Sequence, residues 1–363
     1  MSAAPRRSAL YPPPRADYSP GDPPYRRPGS ADPRTTPARV CADPSALIAK
    51  AAPLHIERLR IGTRGSPLAL AQAHQVAALL ARHAAARVGG TEILVIKTTG
   101  DQVLDRPLAA IGGKGLFTKE IEEALIDGRI DIAVHSAKDM PTVLPDGLVL
   151  AGYLAREDVR DVFISRVADA VEALPRGAKV GTASLRRQAL IRRLRPDLAV
   201  EVFRGNVQTR LSKLDAGVVD ATLLALAGLK RLGLPGIATA ILDVETFPPA
   251  LGQGAIAIET RAGEAPVAAA LAPILDAETG IALAAERGFL GALDGSCRTP
   301  IAGLATVAGG LVSLHGLVAT PDGRRVEETR VEAGVTEAAA LGRAAGLEMK
   351  GRLGPEFFAD WGG

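Results

Sequence analysis

Two short segments carry residues that could do chemistry, one around Cys297 and the other around Asp139. Cys297 lies among turn-forming residues in segment 293–300, and the adjacent Arg298 favours the thiolate, which is the reactive form of the side chain. Such a thiol could be a point of covalent attachment. The alternative is a small buried hydrophobic residue, the usual state of an isolated cysteine. The other cysteine, Cys41, lies in a proline-rich stretch, so the sequence shows no intrachain disulfide framework.

Asp139 follows the apolar run 130–134, which predicts a strand that ends in the polar residues of segment 134–142. In open α/β sheets, ligands bind in the crevice beyond the carboxyl ends of the strands. We therefore expect Ser136, Lys138 and Asp139 to face such a crevice. A carboxylate there can stabilise positive charge that develops on a ligand and can exchange protons with it. The alternative is an ordinary loop with polar turn residues.

Arginines recur where predicted strands end or predicted helices begin, and free backbone N–H groups at those places add to an anion site. Guanidinium groups also match carboxylates in a bidentate geometry. The pattern predicts a cleft between two domains that binds a ligand with several carboxylates. Arginines 192, 193 and 195 fit a solvated helix face better. The residues expected in the cleft are Arg64, Ser66, Thr182, Ser184, Arg186, Arg187, Arg204, Arg210 and Arg231.

Composition argues against several classes of protein. The chain is 47% hydrophobic but only 3% aromatic, which suits α/β layers built from Ala, Val, Leu and Ile. A formal charge of +3 argues against general nucleic-acid affinity. No apolar stretch approaches the ~20 residues of a membrane span, and the histidines show no metal-ligand spacing. Segment 252–257 fits G-x-G-x-x-A but precedes a strand, so a dinucleotide site is not expected. We expect a cytoplasmic protein without metal, nucleic-acid or membrane partners.

The elements that must position these residues begin near Arg58. Alternating strands and helices predict two α/β domains with largely parallel sheets, followed by a small α+β domain. The expected domains are 58–154 with 250–272, then 155–249, then 273–363. Residues 1–57 are rich in proline and lack apolar periodicity, which predicts a disordered extension. The predicted strands are 59–62, 92–97, 130–134, 179–180, 200–203, 221–225, 255–259 and 311–318, and the predicted helices are 67–87, 118–127, 185–195, 207–216, 279–293 and 336–353.

Seven separated segments, in colinear order over residues 58–350, resemble the hydroxymethylbilane synthases, which are also called porphobilinogen deaminases. The resemblance implies two doubly wound, periplasmic-binding-protein-like domains with an active-site cleft between them, plus the small C-terminal α+β domain. We expect a monomer, although the sequence itself leaves the oligomeric state open. Where some family members have a cofactor-contacting lysine, this chain has Ala110. The matching segments are 61–70, 112–120, 134–142, 156–161, 180–188, 204–210 and 295–300.

The resemblance implies a transferase of tetrapyrrole, and hence porphyrin and haem, biosynthesis. Such enzymes carry one dipyrromethane cofactor, here bound by a thioether to Cys297, and Asp139 is the implied catalytic residue. Porphobilinogen molecules, four in all, are joined head to tail with loss of ammonia, and the linear tetrapyrrole is released by hydrolysis. Further implied cofactor-binding residues are Ser136, Lys138, Thr182, Ser184, Arg186, Arg187 and Arg204. The implied substrate-binding residues are Arg64, Ser66, Phe117, Arg210 and Arg231.

A non-catalytic binding module is the competing interpretation, since two α/β lobes with a basic cleft also resemble solute-binding proteins. That reading explains the arginines and the polar residues at strand ends. It gives no role to Cys297 or to Asp139. Because fold alone does not fix function, these two residues decide between the interpretations.

Overall fold

The computed structural model describes residues 55–99, 118–295 and 299–359. The predictions made for Phe117, Ala110, Cys297 and residues 1–54 lie outside these ranges. Ile56, which the sequence analysis assigned to the extension, forms a parallel bridge with Val88. Its amide donates to the Arg87 carbonyl oxygen at 2.7 Å. The regular chain therefore begins before residue 58.

The first sheet has five strands in the order β2-β1-β3-β10-β4. Strand β1 pairs in parallel with β2 and β3, whereas β10 runs antiparallel to both β3 and β4. Four of the five strands therefore share one direction, as expected, and β10 is the reversed strand that makes the sheet mixed. The chain leaves the sheet at the carboxyl end of β4 and re-enters beside it, so β10 must run in the opposite direction. The strands are β1 (Leu59–Thr63), β2 (Thr91–Val95), β3 (Ile132–Ser136), β4 (Leu148–Tyr153) and β10 (Ile256–Arg261).

Helix α1 (Pro67–His83) covers one face of this sheet. Its buried residues include Ala69, Ala73, Val76 and Leu80, which recur at the spacing of one helical face. Ser66 accepts a hydrogen bond from the Ala69 amide at the helix N-terminus, and proline occupies the first turn. The helix ends at His83, four residues before the predicted end. Helix α2 (Lys119–Ile126) packs on the same sheet.

The second sheet has the order β7-β6-β8-β5-β9. Strand β6 is parallel to β7 and β8, and β5 is antiparallel to β8 and β9. Asp161 at the start of β5 pairs with Ala225 at the end of β8, so the chain enters this sheet at the carboxyl end of its parallel strands. This sheet is mixed for the same reason as the first. Its strands are β5 (Asp161–Ser165), β6 (Lys179–Gly181), β7 (Ala199–Glu201), β8 (Ala221–Ala225) and β9 (Ala240–Ile241), and its helices are α3 (Leu185–Leu194), α4 (Val207–Asp215) and α5 (Leu226–Arg231).

The third part of the chain, residues 277–359, contains an antiparallel sheet in the order β11-β12-β13 that is packed against helices. Phe289, Phe357 and Met349 are fully buried in its core. The α/β class with a small α+β part is confirmed, whereas the domain limits stay predictions. Its elements are α7 (Ala277–Ala292), β11 (Ile301–Ala308), β12 (Leu311–Ala319), β13 (Val326–Gly334), α8 (Ala338–Leu353) and α9 (Pro355–Ala359). The preceding helix α6 (Ala265–Leu271) packs instead in the core of the first sheet.

No single helix within the described ranges is long and apolar enough to cross a membrane. The bent pair Ala265–Ile274 and Ala277–Ala292, which meets at 107°, passes that test of length and composition only when its two parts are joined.

Candidate functional site

A cleft of about 830 Å³ is lined by residues from both five-stranded sheets and from the third part of the chain. Residues 64–68 and 138–139 follow strands of the first sheet, and residues 183–187 and 204–210 follow strands of the second. The cleft thus lies where the carboxyl ends of both parallel sets meet, as the strand-end rule predicts. Of the described lining residues, eight are basic and one, Asp139, is acidic.

Asp139 is held on a short, fixed turn. Residues Ala137–Asp139 form a single 3₁₀ turn directly after β3. The Ala137 amide donates to the Ala255 carbonyl oxygen at 3.0 Å, and the Met140 amide donates to the Ala137 carbonyl oxygen at 3.2 Å. No described side chain forms an ion pair with the Asp139 carboxylate. The backbone that carries this carboxylate is therefore fixed, and no cation among the described residues neutralises the group.

The Gly252-Gln253-Gly254 segment supports this turn from behind. Gly252 has a φ of 76°, and a Cβ atom there would lie 2.9 Å from the Lys138 amide nitrogen. Gly254 has a φ of 88°, and a Cβ atom would lie 2.3 Å from the Glu157 carbonyl oxygen. These glycines serve close backbone packing between the two segments that connect the sheets. This packing accounts for the G-x-G pattern that resembled a dinucleotide motif.

Three helix N-termini border the cleft. Ser66 caps α1, Ser184 caps α3 and Asn206 caps α4, each through its side-chain oxygen. Their first turns all belong to the cleft lining. Unsatisfied N–H groups and the helix dipole make each such end favourable for an anion. The helix N-termini and the basic side chains of the lining therefore both favour a negatively charged ligand.

Asp161 anchors two of the predicted arginines. Its carboxylate accepts from Arg186 Nη2 at 2.6 Å and from Arg187 Nη2 at 2.8 Å, and both arginines are buried. Burial favours the neutral acid, yet the two guanidinium groups hold the pKa of Asp161 well below its usual range. The Nε atoms of Arg186 and Arg187 are buried without a described partner. One carboxylate shared by two arginines leaves net positive charge at this wall of the cleft.

Gln253 connects this pair to Lys138. Its amide nitrogen donates to Asp161 Oδ1 at 2.9 Å and to the Val159 carbonyl oxygen at 2.8 Å, while its Oε1 accepts from Lys138 Nζ at 3.2 Å. Burial, and then the nearby Arg187 charge, lower the pKa of Lys138 to about 8. The Lys138 ammonium is therefore poised to gain from a bound carboxylate, which would raise that pKa again.

Arg210 is a further lining cation. It is half-buried, and its Nε donates to the Gly205 carbonyl oxygen at 2.9 Å. Burial, and then the charges of Arg187 and Arg204, lower the pKa of Arg210 to about 10. Such crowding of cations is unfavourable in an empty cleft and favourable when anions are bound.

The structure brings together nine of the predicted site residues and leaves three outside the lining. Ser136 exchanges hydrogen bonds with the Gln72 side chain. Thr182 is buried, and its Oγ1 accepts from the Ser184 amide at 3.1 Å. Arg231 Nη2 donates to the Gly254 carbonyl oxygen at 2.7 Å. The nine predicted site residues that line the cleft are Arg64, Ser66, Lys138, Asp139, Ser184, Arg186, Arg187, Arg204 and Arg210.

Sequence reasoning missed Lys97, Lys213 and Gln253 as lining residues. Lys97 follows β2 by two residues, so the rule that found Arg64 after β1 could have found it. Lys213 lies on α4, and its Nζ donates to the Arg204 carbonyl oxygen at 3.2 Å. Gln253 carried no signal, because its role depends on contacts with residues about ninety or more positions away.

The described residues beside the Cys297 segment also reach the cleft. Leu290, at the end of α7, and Thr299 and Ile301, which follow the segment, belong to the lining. Thr299 lies two positions from Cys297 in sequence. Described residues on both sides of Cys297 in sequence therefore line the cleft.

Comparison with known proteins decides the family. The family model "Porphobilinogen deaminase, dipyromethane cofactor binding domain" matches residues 59–269, and "Porphobilinogen deaminase, C-terminal domain" matches residues 281–351. Two curated porphobilinogen deaminases are similar: that of Nitrobacter winogradskyi is 56% identical over 303 residues, which are 84% of this chain and 96% of the relative. That of Nitrobacter hamburgensis is 57% identical over 305 residues, again 84% and 96%. The chain belongs to the porphobilinogen deaminase family.

The family's cofactor-binding domain contains both walls of the cleft, since residues 59–269 include Arg64, Asp139, Arg187 and Arg210. Among solved structures, a nutrient-binding protein from Burkholderia cenocepacia bound to methionine aligns over 59% of this chain and 90% of its own, at 15% identity and a TM-score of 0.38. A likeness at this level carries no argument. The predicted membership of this family is confirmed by the sequence matches alone.

Proposed function

We propose that this chain is a hydroxymethylbilane synthase, a transferase that joins four porphobilinogen molecules head to tail with loss of ammonia and then releases the linear tetrapyrrole by hydrolysis. One feature of the cleft supports this best: a single described carboxylate, Asp139, stands among eight basic residues. A solute-binding cleft for polycarboxylates would need the cations, but a carboxylate there would oppose ligand binding.

The cleft fits a dipyrromethane cofactor attached to Cys297. Each pyrrole of such a group carries an acetate and a propionate, and the walls offer guanidinium groups, an ammonium and helix N-termini to meet them. The buried Nε atoms of Arg186 and Arg187, which lack a described partner, are donors that an anion could use. When bound, the cofactor supplies a tethered, nucleophilic pyrrole carbon. Lys138, Ser184, Arg186, Arg187 and Arg204 would hold its carboxylates, with Ser136 and Thr182 behind them.

Asp139 performs the electrostatic and proton-transfer work in this proposal. When the substrate loses ammonia, positive charge develops on its pyrrole ring, and an ionised carboxylate nearby lowers the energy of that charge. The same carboxylate can accept the pyrrole N–H proton and return a proton to the leaving amine. The fixed 3₁₀ turn keeps the group in place, so little reorganisation is needed during the reaction.

Three further lining residues bind and orient substrate in this proposal. Arg64, Ser66 and Arg210 would meet the carboxylates of incoming porphobilinogen, with Phe117 and Arg231 as further substrate-binding residues. The proposal also includes a monomeric state, a cytoplasmic location, and a reaction without nucleic-acid or membrane partners. The formal charge of +3 supports the absence of general nucleic-acid affinity.

Turnover of porphobilinogen by the purified holoprotein tests this function. We expect ammonia release together with a linear tetrapyrrole, at one tetrapyrrole for every four ammonia molecules. Binding of porphobilinogen without ammonia release would contradict the enzyme and favour the solute-binding module.

A further inference from the structure

Lys97 is a cleft cation to which no role has been assigned above. It belongs to the cleft lining and is exposed. Thr63 at the end of β1 pairs with Val95 at the end of β2, and the Ile96 amide continues the ladder by donating to the Thr63 carbonyl oxygen at 2.8 Å. Lys97 therefore emerges from β2 where Arg64 emerges from β1.

The two emerging segments lie side by side. Paired strands are separated by about 4.8 Å, which sets the spacing of the backbones that carry Arg64 and Lys97. The turn after β1 also contacts β2, since a Cβ atom at Gly65 would lie 3.1 Å from Val95 Cγ1. Both cations line the same cleft. Two long, positively charged side chains are thus available at neighbouring positions of one wall.

Lys97 differs from the other cations of the wall in its partners. Arg186 and Arg187 are held by Asp161, and Lys138 donates to Gln253. By contrast, no described carboxylate lies within ion-pair distance of Lys97. Lys97 is exposed, so its ammonium can turn toward an incoming anion without breaking an ion pair to a described carboxylate.

We propose that Lys97 is a specificity-determining residue that binds one of the two carboxylates of incoming porphobilinogen while the neighbouring Arg64 binds the other. The acetate and the propionate stand on adjacent carbons of one pyrrole ring, so neighbouring cations suit them. This inference rests on the proposed function and adds a substrate contact that the resemblance did not supply.

The contact is remote from the reacting carbon, so its strength is the same in the ground state and the transition state. Such uniform binding affects KM and leaves kcat unchanged. A charge-assisted hydrogen bond at an exposed site predicts that KM rises about 3- to 10-fold when the ammonium is removed.

The test compares Lys97→Met, Lys97→Arg and wild-type holoprotein, with Lys179→Met as the control. Lys179 is also exposed, but it lies at the amino end of β6 and outside the cleft lining. We expect Lys97→Met to raise KM with little change in kcat, Lys97→Arg to restore most of the affinity, and Lys179→Met to behave as wild type. Intact mass should show the same cofactor content in all four proteins.

Substrate analogues sharpen the comparison. One analogue carries a methyl group in place of the acetate, and another carries an ethyl group in place of the propionate. For the analogue that lacks the carboxylate bound by Lys97, wild type and Lys97→Met should give equal KM values. A KM for porphobilinogen in Lys97→Met equal to wild type, or the same KM increase with both analogues, would overturn this inference while the proposed function stands. An inactive wild-type holoprotein would instead overturn the proposed function and this inference with it.

Discussion

Asp139 is the residue on which the chemistry depends. It is the one acidic residue of the described cleft lining, and its backbone is fixed between β3 and the Gly252–Gly254 segment. Lys138 is next to it in sequence, and the described lining contains seven further basic residues. The position therefore supplies a negative charge inside an otherwise basic cleft, where developing positive charge on a substrate can meet it.

Replacing Asp139 with asparagine should slow turnover strongly and leave cofactor binding intact. The amide keeps the shape of the side chain but can neither carry the charge nor accept a proton, so we expect kcat to fall about 100-fold or more. Steady-state assays with porphobilinogen measure this, and intact mass reports the cofactor. Asp146→Asn is the control, because Asp146 is exposed and lies outside the cleft lining. Near-normal kcat in Asp139→Asn would remove Asp139 from the mechanism.

Sequence reasoning could place Asp139 and most cleft arginines, because each follows a predicted strand or opens a predicted helix. It could not predict the hydrogen-bond network formed by Asp161, Gln253 and Arg187. These residues lie far apart in sequence, and their contacts arise only when both connecting segments pack together. It also treated Ser136 and Thr182 as ligand-binding residues, whereas their hydroxyls contact Gln72 and the Ser184 amide in this structure.

At the scale of elements, helix α2 packs on the first sheet and has an acidic residue among its buried side chains. Glu122 is 7% exposed, and burial, followed by the nearby Glu259 charge, raises its pKa despite an opposing hydrogen bond. Glu259 Oε2 is hydrogen-bonded to His135 Nε2 at 3.1 Å, and its Oε1 is buried without a described partner. Folding therefore shifts the protonation equilibrium of Glu122 toward the neutral acid.

This arrangement predicts a pH-dependent effect of Glu122→Gln on stability. Because the pKa of Glu122 is raised in the folded state, Glu122 contributes to the free energy of unfolding below its unfolded-state pKa. This contribution is lost as pH rises through the folded-state pKa. Glutamine stays neutral, so we expect the variant to exceed wild type in Tm by about 2 °C at pH 8 and to match it near pH 4.5. Thermal unfolding at both pH values measures the difference.

Glu123→Gln provides the matched control, since Glu123 is the exposed neighbour on the same helix. Its Tm should stay close to wild type at both pH values. Equal destabilisation by Glu122→Gln at pH 4.5 and pH 8 would show that Glu122 is not protonated in the fold.

The sequence predicted which elements exist better than it predicted their direction. Strands β1, β6 and β8 and helices α3 and α4 follow apolar periodicity bounded by cap residues, and their ends agree within one or two positions. Strands β4, β5, β9, β11 and β13 were not individually predicted. Strands β5 and β10 run antiparallel because of the route by which the chain passes between sheets, which local periodicity does not encode.

At the scale of the whole molecule, the third part of the chain holds the connecting segments together. The Glu286 carboxylate on α7 is fully buried and accepts from Arg156 Nη1 at 2.6 Å, from the Gly252 amide at 2.6 Å and from the Ala305 amide at 2.8 Å. The Glu286 side chain thus contacts both of the segments that join the two five-stranded sheets. It also contacts β11, the first strand of the three-stranded sheet. Leu290 and Thr299, which precede and follow Cys297 in sequence, belong to the cleft lining.

The most direct test of the central claim, a Cys297-tethered pyrrole pair in this basic cleft opposite Asp139, is the intact mass of the protein produced in a porphobilinogen-synthesising host. We predict that wild type and Cys41→Ser carry an adduct of two linked pyrrole units, and that Cys297→Ser lacks it. An unmodified wild-type chain, or an adduct that persists in Cys297→Ser, would contradict the account.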